Sequence, residues 1–285
     1  MRVLITGAGG QVGIDLVAVC KTAGDEVVAL DRAALDIADR AQVVEAITAA
    51  QPDVVVNCAA WTAVDECESD PTRAQVINGM AVRWIAEACK RSRAHLIQMS
   101  TDYVFDGTLD RAYRESDTTN PQSVYGRSKL IGEQEALTLG PAATVVRTSW
   151  VCGRNGANMV KTVMHLAREN KQISFVCDQI GSPTFTHDLA PMLRTIALDR
   201  LDGLLHITNQ GSCSWHQFAQ AVVEAMGLDP AMVRPIATAE LLPSRPAPRP
   251  AHSVLDNAAL RAAGYPMLRD FHEPLSETVA ALLAT

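Results

Sequence analysis

Tyr125-Gly126-Arg127-Ser128-Lys129 sets a phenol and an ammonium four positions apart. On a helix, positions i and i+4 lie one above the other, so both groups can enter one cleft. A free phenol titrates near 10 and is a poor acid or base at neutral pH. A neighbouring ammonium favours the phenolate and brings the group toward the range that general acid–base work needs. Ser100-Thr101-Asp102, earlier in the chain, offers a hydroxyl that can hold a substrate oxygen beside the tyrosine. Together they predict a proton-transfer site that interconverts a carbonyl and an alcohol. A tyrosine and a lysine at this spacing also occur on ordinary helix surfaces, so the weight rests on what the rest of the chain builds around them.

The amino terminus supplies that weight. The apolar run Arg2-Val3-Leu4-Ile5-Thr6 leads into Gly7-Ala8-Gly9-Gly10-Gln11-Val12-Gly13, and an amphipathic segment, Ile14 to Lys21, follows. Strand, glycine turn and helix start make a dinucleotide fingerprint. The glycines allow a tight turn and close approach of backbone to a pyrophosphate, and the helix N-terminus offers N–H donors. The glycines stand at 7, 10 and 13, with an extra one at 9, and so depart from the G-x-G-x-x-G form. The second strand, Glu26 to Leu30, ends at Asp31, which is placed to bond a ribose 2′-OH and favours NAD. Arg32 follows and can pair with a 2′-phosphate instead. The cofactor is thus NADH or NADPH. Asp36-Ile37 is expected beside the adenine.

Composition sets the bounds. With 285 residues the chain makes one large or two modest domains, and 48% hydrophobic content suits a globular core. A net charge of −7 gives no basic footprint for nucleic acid. No apolar run is long enough to span a bilayer, and the N-terminus enters a strand without a signal peptide's charged region and apolar core. Seven cysteines without a C-x-x-C pair read as thiols of a reducing cytoplasm, not as a disulfide frame or a metal site.

The elements that must position these residues alternate. Strands are expected at Asp53 to Asn57, His95 to Met99 and Thr144 to Val146. Helices are expected at Asp39 to Ala50, at Pro71 to Arg91 and, beginning after Pro121, through the Tyr/Lys pair. This predicts an α/β fold, a Rossmann-type doubly wound parallel sheet, with ligands beyond the carboxyl ends of the strands. Residues 1–150 form the NAD(P)-binding part; residues 151–285 form mainly a smaller α/β substrate-binding part, some of which can return to the sheet. There the pattern predicts helices at Asn158 to Arg168, His187 to Leu198 and Trp215 to Met226, and strands at Ile173 to Val176 and Leu204 to Ile207. Pro243-Ser244-Arg245-Pro246-Ala247-Pro248-Arg249-Pro250 reads as a stiff linker, or as a loop whose two arginines bind a diphosphate. Trp84 and Trp215 are expected in packing roles, and Glu115 and Asp117 in solvent.

Ser100-Thr101-Asp102-Tyr103-Val104-Phe105-Asp106-Gly107, the Tyr/Lys motif and Thr148-Ser149-Trp150-Val151 resemble the dTDP-4-dehydrorhamnose reductases. These are extended short-chain dehydrogenases/reductases that act on sugar nucleotides, and the three-residue glycine rhythm is similar to theirs. The resemblance runs nearly end to end. It takes in Ala59-Ala60-Trp61-Thr62-Ala63-Val64-Asp65, Asp178-Gln179 with Gly181-Ser182-Pro183-Thr184, Ser214-Trp215 and Ser253-Val254-Leu255-Asp256. It implies that Gly7, Gly10, Gln11, Val12 and Gly13 border the cofactor pyrophosphate, and that Asp31, Arg32, Asp36 and Ile37 border its adenosine half. Ala60, Trp61 and Thr62 would line it from the third-strand loop, and Met99 would lie near the nicotinamide with Tyr125 and Lys129. Thr101, Asp102, Tyr103 and Trp150 would contact the deoxysugar nucleotide, and Arg245 and Arg249 its phosphates. Position 61 is often His or Tyr in such proteins. Asp15 stands where some relatives place a magnesium-binding carboxylate at a dimer contact, but no companion ligands are found, and no metal is expected.

The implied activity is NAD(P)H-dependent reduction of the C4 keto group of a nucleotide-linked 4-keto-6-deoxysugar, with dTDP-4-dehydro-L-rhamnose as the first candidate, by a cytoplasmic monomer or homodimer. Reductases of other dTDP-4-keto-deoxysugars look alike. A sugar-nucleotide 4,6-dehydratase would need an Asp-Glu pair after the threonine, where this chain has Asp102-Tyr103. A 4-epimerase would show no net redox. A non-catalytic NAD(P)-binding regulatory subunit of the same family would hold cofactor and turn over nothing.

Overall fold

The computed structural model describes residues 1–139 and 142–284. Six parallel strands form the central sheet. In chain order they are β1 (Arg2–Thr6), β2 (Glu26–Leu30), β3 (Val54–Asn57), β4 (His95–Thr101), β5 (Ala143–Thr148) and the edge strand Gly203–His206. In space they run β2-β1-β3-β4-β5 and then Gly203–His206. The order reverses at β1, where the strand tips part and leave a crevice.

Side-chain alternation along the strands builds two cores. Val3, Ile5, Val54, Val56 and Ile97 pack on one face against the helix α1 (Gln11–Thr22) and the helix Thr186–Asp199. Leu4, Val55, Leu96 and Val145 pack on the other. That face is covered by α2 (Arg40–Ala50), α5 (Ala81–Ser92) and α6 (Val124–Leu139). Because both faces are covered, the strands read as unbroken apolar runs. A third cluster, around Phe185, Phe218, Val222 and Phe271, is the core of the carboxyl-terminal part.

The expected helix from Pro71 to Arg91 is three pieces. After α3 (Val64–Ser69) come α4 (Pro71–Gln75), a π-turn over Val76–Met80, and then α5. A π-turn inserts a residue into the helical ladder and re-aims the side chains beyond it, often at functional sites. Pro121 lies outside α6. The cap is Ser123, whose hydroxyl accepts the N–H of Gly126 at 3.0 Å. The helix His272–Leu283 was not anticipated; it packs Leu275 and Val279 into the third core. Glu115 is not solvated as expected, because its Oε1 accepts the N–H of His206 (3.0 Å) and of Ala259 (3.1 Å). Asp117 is half-buried and pairs with Arg111 through two bonds of 2.7 and 2.9 Å.

Candidate active site

The glycine turn is fixed by sterics. Gly7 has φ +64°, and a β-carbon there would stand 2.7 Å from the nitrogen of Ala59. A β-carbon on Gly13 would stand 2.3 Å from the Gly7 carbonyl oxygen, so α1 reaches the turn only through glycine. No side chain caps α1 at Gly10, which leaves its first N–H groups facing outward. Gly13→Ala is therefore expected to weaken NADPH binding at least about tenfold and to cost ~1–3 kcal/mol of stability, since the clash is with backbone. Fluorescence titration and a thermal melt check this; wild-type values in both would refute the described turn.

Above the turn lies a cleft of about 380 Å³. Gly7, Gly10, Asp31, Arg32, Asp36 and Ile37 line one side, with Ala60 and Trp61 across it. Gln11, Val12 and Gly13 lie behind the turn. Val12 packs on the core, and Gln11 runs under Gly156 with its buried Oε1 lacking a partner among the described residues. Thr62 is exposed and outside the lining. Asp31 Oδ1 accepts the N–H of Ala33 (3.0 Å) and Ala34 (2.9 Å), which holds the turn after β2. Arg73, not anticipated as a site residue, also lines the cleft, its guanidinium carbon 4.4 Å from the Trp61 ring centre, a cation–π distance. Its spacing of four from Ile77, another lining residue, was the available signal. An uncapped helix end, a cradle too tight for β-carbons and an orphaned amide oxygen fit a dinucleotide.

A polar spine runs beneath the strand tips. Thr6 Oγ1 donates to Asn57 Oδ1 at 2.5 Å, Asn57 Nδ2 to Gln98 Oε1 at 2.7 Å, and Gln98 Nε2 to the Met99 carbonyl at 2.7 Å. Asn78, in the π-turn and 1% exposed, bonds the Trp61 backbone both ways (2.9 and 3.1 Å) and donates to Ser128 Oγ at 3.0 Å. It thereby ties the cofactor-side loop to the helix that carries Tyr125 and Lys129. Nothing in the sequence marks it.

Tyr125 and Lys129 are both buried on α6, at the tip of β4. The helix comes this close because Gly126 has no β-carbon to strike the Tyr103 carbonyl, which would lie 2.2 Å away. Lys129 Nζ donates to the Met99 carbonyl at 2.6 Å. Burial lowers its pKa from the ordinary 10.5 to about 8, and the charge of Glu133 opposes that shift. Burial also raises Tyr125 above its ordinary value, opposed by the neighbouring Thr101 hydroxyl. The expected depression of the phenol by the ammonium is therefore not what this structure shows. Burial sets the direction for the phenol, and Lys129 points its nitrogen at Met99.

The two hydroxyls weighed for the substrate oxygen separate cleanly. Ser100 Oγ donates to Glu133 at 2.5 Å, inside a buried pair in which Arg147 binds Glu133 at 2.8 and 2.7 Å. Thr101 is the one beside Tyr125. It donates to Asp102 Oδ1 at 3.1 Å and accepts the Tyr103 N–H at 3.2 Å. Asp102, 2% exposed, is raised to about 6 by burial, held down in part by Ser253, which donates to its Oδ2 at 2.6 Å. The Tyr103 ring packs edge-on to Tyr125, centres 5.6 Å apart.

Trp150 sits at φ +46° just past β5. Its ring lies flat on Trp215 at 3.5 Å, and Gly181 leaves room for it, since a β-carbon there would come within 2.5 Å. Trp215 does pack, as expected, but against a candidate substrate residue. Arg245 and Arg249 both bind Asp65 of α3. Asp15 accepts a bond from Asn155 at 2.8 Å. Among the described residues no cluster of three His, Cys, Asp or Glu is placed to hold a metal, and no helix is long and apolar enough to cross a membrane.

The chain is 43% identical over 287 residues to a dTDP-4-dehydrorhamnose reductase of Streptomyces griseus, covering 99% of this chain and 94% of that protein. It is 43% identical over 288 residues to a probable dTDP-4,6-dihydroxy-2-methyloxan-3-one 4-ketoreductase of Streptomyces antibioticus, covering 100% and 96%. The crystal structure of a dTDP-4-dehydrorhamnose reductase from Bacillus anthracis in complex with NADP superimposes with a TM-score of 0.94 at 36% identity, covering 100% of this chain and 99% of that one. The family model described as RmlD substrate binding domain matches residues 1–284, and the chain belongs to that family.

Proposed function

We propose that this chain reduces the C4 keto group of a dTDP-linked 4-keto-6-deoxysugar, first of all dTDP-4-dehydro-L-rhamnose, using NADPH or NADH. The observation that carries the reading is the gathering of Tyr125, Thr101 and Lys129 at the β4 tip, two strands away from the glycine turn after β1. Residues 1–150 would hold the cofactor and residues 151–285 mainly the substrate, although the helix Thr186–Asp199 and the strand Gly203–His206 pack onto the central sheet.

When bound, the nicotinamide supplies hydride to the carbonyl carbon. Tyr125 gives its phenolic proton to the oxygen as it becomes an alkoxide. A phenol kept protonated by burial is in the state a reduction needs at the start of the cycle. Thr101, beside Tyr125, would orient that proton and the carbonyl oxygen. Lys129, four positions on along the same helix, would bring a positive charge toward the phenol as it loses its proton and so lower the cost of the phenolate. Gly7, Gly10, Asp31, Arg32, Asp36, Ile37, Ala60 and Trp61 would hold the dinucleotide; Asp102, Tyr103 and Trp150 would frame the sugar.

Dehydration is disfavoured by Asp102. Its carboxylate is engaged by Ser253 and Thr101, and the next residue, Tyr103, is not the required glutamate. The name of the Streptomyces antibioticus relative supports a second substrate, another dTDP-4-keto-deoxysugar. The decisive assay follows NADPH or NADH absorbance with a panel of nucleotide 4-keto sugars. Net oxidation with dTDP-4-dehydro-L-rhamnose is expected; cofactor binding without oxidation across the panel would identify a regulatory subunit instead. The reading includes a cytoplasmic monomer or homodimer, which sedimentation resolves.

A further inference from the structure

The loop Pro243–Pro250 is not a free linker. Asp65 holds it through every acceptor position its carboxylate has. Oδ1 accepts the Ala247 N–H (3.2 Å) and Arg249 Nη1 (2.9 Å); Oδ2 accepts Arg249 Nη2 (2.7 Å) and Arg245 Nη1 (3.2 Å). The two arginines are held unequally. Arg249 makes a two-point fork, adds a 2.7 Å bond to the Ala247 carbonyl, and its side chain is 16% exposed. Arg245 makes one long bond and its side chain is 56% exposed. Two guanidiniums on one carboxylate leave one positive charge over. Tyr103 feels the charges of Asp65 and of both arginines, and its ring packs on Tyr125. The surplus charge therefore borders the place where the reacting sugar would lie.

Resting on the proposed reading, we infer that Asp65 is a latch that divides the work of the two arginines. Arg249 stays forked on Asp65 as the anchor of the loop, and Arg245 is the one that leaves it for the diphosphate of the sugar nucleotide. The exchange is feasible because Arg249 alone already neutralises Asp65, so the departing Arg245 strands no charge. The guanidiniums also hold the Asp65 carboxyl near 2, so the latch stays charged at any working pH. Asp65 follows the Ala60–Thr62 segment on the cofactor side, which makes it a positioning residue between the two ligand sites.

The test uses the full chain, dTDP and, as a control without phosphates, thymidine. Arg245→Ala is expected to weaken dTDP binding about tenfold to a hundredfold, the range of a charge-assisted hydrogen bond. Thymidine binding should not move, KM for the sugar nucleotide should rise in parallel, and Arg245→Lys should restore part of the loss. Amide exchange over residues 244–249 should stay slow in Arg245→Ala and become fast in Asp65→Asn and Arg249→Ala. Unchanged dTDP affinity in Arg245→Ala, or a dTDP-induced loosening of the whole loop in the wild type, overturns the inference while turnover by the wild type leaves the reductase reading intact. A wild type that neither binds dTDP nor turns over the sugar nucleotide overturns both.

Discussion

Tyr125→Phe is expected to lower kcat by about 10²–10⁴-fold, the usual contribution of a positioned general acid, while NADPH affinity stays within about twofold. The substitution removes one oxygen and keeps the ring, so the edge-on contact with Tyr103 survives. Thr101 keeps its bonds to Asp102 and to the Tyr103 N–H, and loses only the neighbouring phenol oxygen. The loss should appear in kcat more than in KM, because the proton is needed in the transition state and not for binding. Single-turnover oxidation of bound NADPH measures it. Turnover near the wild-type rate would remove Tyr125 from the reaction.

Lys129→Met is expected to abolish most turnover and, at the same time, to stabilise the protein at neutral pH. The ammonium is 4% exposed and titrates at about 8 instead of 10.5. The folded state therefore binds fewer protons than the unfolded chain between those values, so this group's contribution to stability rises with pH across that window. Below it, the buried charge costs about 3 kcal/mol, at 1.36 kcal/mol for each unit of displacement. Methionine fills a similar volume without a charge. It forfeits the bond to the Met99 carbonyl, but that oxygen keeps its bond from Gln98, so no acceptor is orphaned. A net gain of ~1–3 kcal/mol is the expected balance. Denaturant melts from pH 7 to 10.5 test it: the difference between variant and wild type should shrink as pH rises. A variant that is less stable at pH 7, with a difference flat in pH, would show that the buried charge carries no such cost.

Much of this was legible in the chain because it is local. Strands of Val, Leu and Ile, a turn rich in glycine and a tyrosine four residues before a lysine are patterns of neighbours, and β1, β2, α1 and the Tyr/Lys helix formed where those patterns stand. The crowding at Gly13 was also readable, since it involves Gly7 and Ala8, a few positions back, whereas Gly7 is crowded by Ala59 of a distant loop. What the pattern missed lies between segments. Ser253 reaches Asp102 across 151 positions, and Arg249 reaches Asp65 across 184. Asn78 looks like one polar residue in an amphipathic helix until the π-turn aims it at Trp61.

The chain alone determined the strands of the sheet, the place of the glycine turn and the pairing of Tyr125 with Lys129 on one helix, because hydrophobic period and helical spacing act over a few residues. Folding decided which hydroxyl lies beside Tyr125, how burial shifts the phenol and the ammonium, and that the two arginines share a carboxylate. Desolvation and charge pairing are set by whatever the tertiary structure brings within a few ångströms, and no local pattern encodes that.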